Sequence, residues 1–284
     1  MCGSVELLTA EDVIPRWLFK CYERPGAGPF TMTRRPEPIF RRNGDPVTNP
    51  TLERVLLDVC EPCNAWLNKT FEVPAKKLVR GLGEAQAIAG DDVLTVARWA
   101  VKTLVLYGHP SARRSNRLHA TVQRPELENG PDLAKAIRTT GAIPEDISLW
   151  ISSVDADLET QGHAVHDGFW PSRTYRADGA GGPVDVVSLG FGAPLLNLTV
   201  MMTLVVHPLV DIENPWEELG LATRVWPKPP ECLAIRDLPA LDIDSDRRSL
   251  DWIADSGIAV HLGPSERWTP ARSPFRSDED GDPD

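Results

Sequence analysis

The cysteines of this chain are concentrated at its N-terminal end, and two of them form a closely spaced pair. Cys2, Cys21, Cys60 and Cys63 lie within the first 63 of 284 residues, and Cys232 stands apart. An odd, clustered set in a chain without a signal-peptide pattern is typical of metal ligands rather than of disulfides. Two thiolates separated by two residues can reach one tetrahedral Zn²⁺, because the intervening turn brings both sulfurs to a common centre. The sequence therefore predicts a zinc site that includes Cys60 and Cys63; the alternative is two buried thiols at the start of a helix.

The pattern of apolar residues predicts an α+β fold. One helix is predicted to begin near Thr9, with Thr9 as N-cap and acidic residues in the first turn. A second is predicted to start near Cys63 and to run to residue 82, bent or broken near Pro74. The clearest helix covers residues 91–107, and a short one covers residues 131–140. Strands are predicted where apolar and β-branched residues dominate between turn residues, at 147–154, 184–189 and 195–206.

Charge is distributed unevenly along the chain. The net charge is −11, but residues 1–124 contain 18 Lys and Arg against 13 Asp and Glu, a net of +5, and the remaining 160 residues carry −16. Because the field at a surface depends on charges within about 10 Å, a basic front on an acidic body permits local contact with phosphate. The longest apolar run, residues 195–206, is too short for a membrane span, which needs about 20 apolar residues. We therefore expect no membrane association and a cytoplasmic location.

These patterns predict three parts. Residues 1–82 form the cysteine-containing module, residues 83–276 form a larger α+β domain, and the acidic residues 277–284 form a disordered tail. The tryptophans at 17, 66 and 99 stand at apolar positions and are predicted to lie in the core. The larger domain is expected to bind a protein partner or a small ligand, and its sequence does not indicate which.

Three segments of the N-terminal module together resemble one family. They are Cys2, residues 8–18 (LTAEDVIPRWL) and residues 60–72 (CEPCNAWLNKTFE). In this combination they resemble the HNH endonucleases, whose fold is a treble-clef, or ββα-metal, module. The resemblance covers roughly residues 2–80 and implies a zinc knuckle in which Cys2 joins Cys60 and Cys63. Zinc would staple a ββα unit that is too small to bury enough apolar surface by itself.

The resemblance also implies a nuclease site. In the family a His takes a proton from water, an Asn side chain orients that His, and a divalent metal stabilises the leaving oxygen of the phosphodiester. Asn64 matches the orienting Asn, and Glu11 and Glu72 match positions where an acid would hold catalytic Mg²⁺ or Mn²⁺. Asp12 stands where the family has its His. Because a carboxyl group with a reference pKa of about 3.9 is a weaker base than imidazole near neutrality, the implied activity is weakened.

The zinc set implied by the resemblance is incomplete in this sequence. Its first cysteine would fall three residues before Cys2, upstream of Met1. Three interpretations stay open: the chain starts earlier than Met1, the zinc site has decayed, or Cys21 serves as the fourth ligand. The identity of that ligand is therefore left undetermined.

Each of the implied site residues also has a simpler structural explanation. Glu11 and Asp12 would complement the helix dipole in the first turn of a helix begun by Thr9, and we prefer this explanation to a metal role. Asn64 would cap the helix that follows Cys63, which is compatible with the orienting role. Glu72 is expected to be a solvated helix residue, with a metal role as the less favoured alternative.

Two arginine pairs, Arg34-Arg35 and Arg41-Arg42, lie between the two halves of the predicted module. In HNH proteins the loop joining these halves lies near the nucleic acid, so the resemblance implies that these side chains contact phosphate; a solvated loop explains them equally well. Two function hypotheses follow. The first is a metal-dependent, HNH-like nuclease, weakened or inactive, that acts on DNA. The second is a non-catalytic, zinc-stapled binding or scaffold protein with an acidic C-terminal domain.

Overall fold

The structure is a computed structural model that describes the chain in separate stretches. Side chains are described for residues 8–18, 55–79, 87–113, 127, 129–144, 147–153, 220 and 222–240. The backbone alone is described for residues 30–31, 33–34, 37–38, 48–49, 114, 154, 169–179, 182–195, 198–206, 211–212, 241, 260–262 and 266–267.

The described secondary structure combines helices with mainly antiparallel strands, so the chain has the predicted α+β character. The α-helices are α1 Glu61–Leu67, α2 Val73–Val79, α3 Gly90–Gly108 and α4 Gly130–Thr140. A π-helical segment, Asn68–Glu72, joins α1 to α2. The strands up to residue 154 are β1 Leu8–Asp12, β2 Phe30–Thr31, β3 Thr33–Arg34, β4 Glu37–Pro38, β5 Thr48–Asn49, β6 Val55–Cys60, β7 Ala87–Ala89, β8 Arg113–Arg114 and β9 Ile147–Val154. The later strands are β10 Phe169–Gly179, β11 Gly182–Leu195, β12 Leu198–Val206, β13 Asp211–Ile212, β14 Thr223–Trp226, β15 Cys232–Ala234, β16 Ala240–Leu241, β17 Val260–Leu262 and β18 Glu266–Arg267.

The N-terminal sheet is built on two strands that are distant in sequence. β1 pairs antiparallel with β6, with Leu8 opposite Cys60, and β8 pairs with the other edge of β6. The helix predicted to begin near Thr9 is therefore wrong. The Thr9 hydroxyl donates a hydrogen bond to the Val59 carbonyl oxygen at 3.2 Å instead of capping a helix, and helical structure begins only at residue 16. Buried and exposed residues alternate along β6, and a well-placed partner strand of this kind overrides a weak local helix preference.

The helical arm after β6 follows the predicted course with one irregularity. Cys60 is the N-cap of α1, which begins two residues before the predicted start, and the helix continues through the π segment into α2. At the end of the π segment the N–H of Val73, the residue before Pro74, donates to the carbonyl oxygen of Asn68, five residues earlier. At Pro74, where the sequence predicts a bend or a break, the helix therefore continues, and its irregularity is a wide turn that ends at Glu72. Such turns are frequent at functional sites because they redirect side chains within a helix.

The helices predicted over residues 91–107 and 131–140 are confirmed as α3 and α4. Asp91 and Asp92 lie in the first turn of α3, where acidic groups complement the helix dipole. α4 ends at Gly141, whose φ of 65° is a left-handed conformation that glycine adopts without steric strain. α3 packs against α4 and lies against β11, β12 and β14 of the large sheet.

The three strands predicted after residue 140 are confirmed, and they form the middle of one large sheet. Its strand order is β10-β11-β12-β9-β14, with antiparallel neighbours, and β16 pairs in parallel with β9. The sequence identified the strands with strong apolar character and missed β10, β14 and β16. This sheet packs against α3, the helix predicted over residues 91–107.

One hydrophobic cluster joins the N-terminal sheet, the helical arm, α3 and the large sheet. Trp99 is fully buried in it, and Trp17 and Trp66 pack against it, as predicted. The cluster contains residues on both sides of residue 82, and the division of the chain into two domains at that point stays a prediction. Among the helices that the structure describes, none is long and apolar enough to cross a membrane.

Candidate active site

The amide of Asn64 and the carboxylate of Glu11 meet where α1 approaches β1. Asn64 Nδ2 donates a hydrogen bond to Glu11 Oε2 at 2.6 Å and so joins residues that are 53 positions apart. The pairing of β1 with β6 brings Glu11 near the start of α1, and Asn64 lies in that helix one position after Cys63. Asn64 does not cap α1, because Cys60 is the N-cap and no side chain makes the cap hydrogen bond. The capping explanation for Asn64 is therefore wrong.

A second polar contact lies beside the first and joins the π segment to α3. Lys102 Nζ lies 2.9 Å from Glu72 Oε1, and the exposed fractions of the two side chains are 1% and 13%. A lysine is almost never this buried unless it is paired. Glu72 is thus an ion-paired, largely buried residue, and the expectation that it is a solvated helix residue is wrong. The wide turn of the π segment ends at Glu72, immediately after the buried Phe71.

The electrostatics of Glu11 show that these contacts belong to one cluster. Burial raises the pKa of Glu11 above its ordinary value of 4.5, and the hydrogen bond from Asn64 opposes that rise. The negative charges of Glu72 and Asp12 raise the pKa of Glu11 further, whereas Lys102 lowers it. Three acidic side chains, one amide and one buried lysine therefore act on one another in a small region. We call these five residues the Glu11 cluster.

Asp12 differs from Glu11 in its surroundings. Its carboxylate is buried, and Arg16 Nε donates to Asp12 Oδ2 at 2.8 Å. Adjacent residues of a strand point to opposite faces, which separates the two side chains although they are neighbours in sequence. Asn64 binds Glu11 and not the position that matches the family's base. Both acids lie in β1, so the preferred explanation that they complement a helix dipole is wrong.

The cysteine pair occupies the junction between β6 and α1. Cys60 is the last residue of β6, Cys63 lies in the first turn of α1, and both thiols are buried. Cys2 and Cys21 lie outside the described residues, so the zinc set stays a prediction. Within the stretches whose side chains are described, no three His, Cys, Asp or Glu residues are grouped so that they could hold a metal ion.

The predicted phosphate-binding arginines are placed only in part. Arg34 lies in β3, of which the backbone alone is described, and Arg35, Arg41 and Arg42 lie outside the described residues. Their contact with nucleic acid stays a prediction. A second basic stretch of the sequence contains Arg113, Arg114 and Arg117. In the structure Arg113 donates two hydrogen bonds, of 2.6 and 2.8 Å, to Asp58.

Lys102 is the member of the cluster that was not identified as a site residue from the sequence. A signal was present, because it is the one charged residue between Trp99 and Gly108 in a helix that is otherwise apolar there apart from Thr103. A single lysine within a buried helical stretch requires a partner of opposite charge. The partner could not be named from the sequence, because Glu72 is 30 positions away.

Comparisons with known proteins give no match. No protein-family model matches the chain, and neither the curated proteins nor the solved structures include a significant match to it.

Proposed function

We propose that this chain is a weak, metal-dependent hydrolase of phosphodiester bonds that resembles the HNH endonucleases and acts on DNA. The observation that carries the proposal is the hydrogen bond between Asn64 and Glu11. These are two of the positions to which the resemblance assigns site roles, and they are distant in sequence. A strand pair that leads directly into a helix, with a cysteine pair at the junction, is also what a ββα module requires, and this supports the proposal.

The donor chemistry of the Glu11 cluster fits a hard divalent cation. Glu11 and Glu72 supply carboxylate oxygens that influence each other electrostatically, and Mg²⁺ is commonly held by one or two carboxylates together with substrate phosphate. These two residues would hold Mg²⁺ or Mn²⁺, which would supply positive charge to the phosphate oxygens. Zn²⁺ at Cys60 and Cys63 would be structural and would take no part in the chemistry.

The chain's own residues then have distinct roles. Asn64 fixes the Glu11 carboxylate through Oε2, and Lys102 fixes Glu72 through Oε1. Rigid placement of this kind matters because a reacting group that is misplaced by about 1 Å can lose about 100-fold in rate. Asp12 stands at the position of the base and contacts Arg16, and a carboxyl group is a weaker general base than imidazole near neutrality. The proposed activity is weak for this reason.

The second candidate is a non-catalytic protein, and one observation favours it. The contacts of Glu11 with Asn64, Glu72 with Lys102, and Asp12 with Arg16 pair every acid of the cluster with a donor. Such a network is sufficient to lock β1 and β6 onto the helices without any reaction. The zinc-stapled module would then serve binding or scaffolding, with the acidic C-terminal part as a docking element.

Nicking of supercoiled plasmid in the presence of Mn²⁺ separates these candidates. The nuclease proposal expects nicking by the purified chain, and a loss of at least about 10-fold in Asn64→Ala and Glu11→Gln, because a positioned contact to a reacting group contributes at this scale. Asp58→Asn is the matched control, since it also removes a carboxylate charge, but from an exposed ion pair with Arg113. Far-UV circular dichroism establishes that each variant is folded. Equal nicking by all variants would reject the proposal and leave the scaffold function.

A further inference from the structure

A pair of arginines packed on aromatic rings lies one helical turn from the Glu11 cluster. Arg98 precedes Lys102 by four residues on α3, so the two side chains share one face of that helix. The Arg98 guanidinium carbon lies 5.5 Å from the centre of the Phe71 ring, and Phe71 directly precedes Glu72. Arg98 therefore contacts the residue next to Glu72 and shares a helix face with Lys102, the partner of Glu72.

The second arginine comes from α4 and reaches the same aromatic surface. The Arg138 guanidinium carbon lies 4.6 Å from the centre of the Trp66 ring, and Trp66 meets Phe71 edge to face at 5.3 Å. A terminal nitrogen of Arg98 donates to the carbonyl oxygen of Gly141, the residue that ends α4. The position that a Cβ would take at Gly141 is 3.5 Å from that nitrogen and 3.9 Å from Trp66 Cζ2. Arg98 and Trp66, the ring on which Arg138 packs, thus both lie next to this glycine.

Among the side chains that the structure describes, the two guanidinium groups are not ion-paired. In the stretches whose side chains are described, neither Arg98 nor Arg138 has a carboxylate within 4.0 Å, and the buried Nε of each has no hydrogen-bond acceptor. Both residues and Trp66 are nevertheless partly exposed, so a ligand can approach. A guanidinium group has five donors in a fixed fork, and phosphate oxygens match that fork.

A purely structural role explains part of this arrangement. Cations near the end of α4 complement the helix dipole, and contacts between arginines and aromatic rings contribute to packing. Neither effect requires two cations without an acid. An oxyanion held by the terminal nitrogens of the two guanidinium groups would balance their charge.

We propose that Arg98 and Arg138 bind a backbone phosphate of a nucleic acid, beside the rings of Phe71 and Trp66 on which the two guanidinium groups pack. The assignment of the ligand to nucleic acid rests on the proposed function, because the same oxyanion chemistry would accept free phosphate. Positive charge combined with aromatic side chains is common where proteins bind the backbone of single-stranded segments. The site would hold the strand beside the carboxylates of Glu11 and Glu72.

Binding of a fluorescein-labelled single-stranded 20-mer, followed by anisotropy in buffer without added Mg²⁺ or Mn²⁺ so that no cleavage occurs, tests the proposal. Arg98→Gln and Arg138→Gln are each expected to weaken binding by about 10-fold and to reduce the slope of log K against log salt concentration by about 0.7. Arg113→Gln is the matched control, because Arg113 is exposed and already paired with Asp58. It is expected to change binding by less than 2-fold.

Competition and a parallel nicking assay separate the outcomes. The 20-mer should resist millimolar inorganic phosphate; displacement by phosphate at that concentration would assign the site to the free anion and overturn the nucleic-acid assignment. Equal affinity of wild type, Arg138→Gln and Arg113→Gln would also overturn it, and Arg138→Gln decides if Arg98→Gln is found to be unfolded. Nicking by wild type with unchanged binding in the variants would reject this site and leave the proposed function. Weaker binding by the variants, with no nicking by wild type, would support this site and reject the proposed function.

Discussion

Replacement of Lys102 by Met tests whether the buried ion pair holds the Glu11 cluster together. Lys102 is 1% exposed and its partner Glu72 is 13% exposed, with 2.9 Å between Nζ and Oε1. Met keeps most of the volume of the lysine stem, so the change removes the charge and leaves Glu72 in a largely buried place without its counter-ion. Removal of one member of a fully buried pair costs about 3–5 kcal/mol. Because Glu72 retains some access to water, we expect a loss of about 2–4 kcal/mol in the free energy of unfolding.

The double variant Lys102→Met/Glu72→Leu distinguishes loss of a partner from loss of packing. With both charges removed no buried group is left unpaired, so its stability is expected to lie within about 1 kcal/mol of wild type. The exposed Lys77 of α2 supplies the matched control, and Lys77→Met is expected to change stability by less than about 0.5 kcal/mol.

Urea denaturation followed by circular dichroism at 222 nm gives these free energies, provided that the m-value stays constant. A Lys102→Met variant as stable as Lys77→Met would show that the pair is not a buried electrostatic contact. A double variant as unstable as the single one would show that packing, and not charge, accounts for the loss. Either result would refute the reasoning.

Three further predictions concern the remaining groups. The raised pKa of Glu11 means that the native state binds the proton of this carboxyl group more tightly than the unfolded chain does, so ionisation of Glu11 lowers stability as pH rises above 4.5. Glu11→Gln should therefore gain stability relative to wild type between pH 4.5 and pH 7. A stability difference that stays constant with pH in urea titrations would contradict this. Asp12→His places an imidazole with a reference pKa of about 6.5 at the position of the base, and should raise plasmid nicking by about 10-fold or more if the variant is folded; an unchanged rate would argue against a base at this position. Zinc analysis by mass spectrometry should find about one ion per chain, lost in Cys60→Ser/Cys63→Ser and retained in Cys232→Ser; equal zinc content in all three proteins would exclude the predicted pair as ligands.

The elements that the sequence predicted well are those whose signals are local. In α3 the apolar stripe, the acids of the first turn and the terminal glycine all lie within 19 residues, and the predicted limits differ from the observed ones by one residue at each end. β9 was predicted with its observed limits because turn residues bound a short apolar run. These signals act through hydrogen bonds and side-chain contacts between near neighbours, which a single sequence displays directly.

The prediction failed at β1 because its structure depends on residues about 50 positions away. Thr9 shortly before two acids is a good start for a helix, but β6 offers the same segment a pairing partner along its whole length. No property of residues 8–12 indicates that this partner will be present. The same error produced the wrong assignment of Glu11 and Asp12 to a helix N-terminus.

The sequence by itself determined the helices α3 and α4, the central strands of the large sheet and, through the resemblance, the candidate site residues near the N-terminus. Only the tertiary structure decided that Asn64 binds Glu11, that Lys102 is the partner of Glu72 and that Asp12 is held by Arg16. Burial and the neighbours of a charge set its protonation and its energetic cost, and both arise from contacts between segments that are far apart along the chain. Local patterns specify the elements, whereas the chemistry of the cluster is fixed only when those elements pack together.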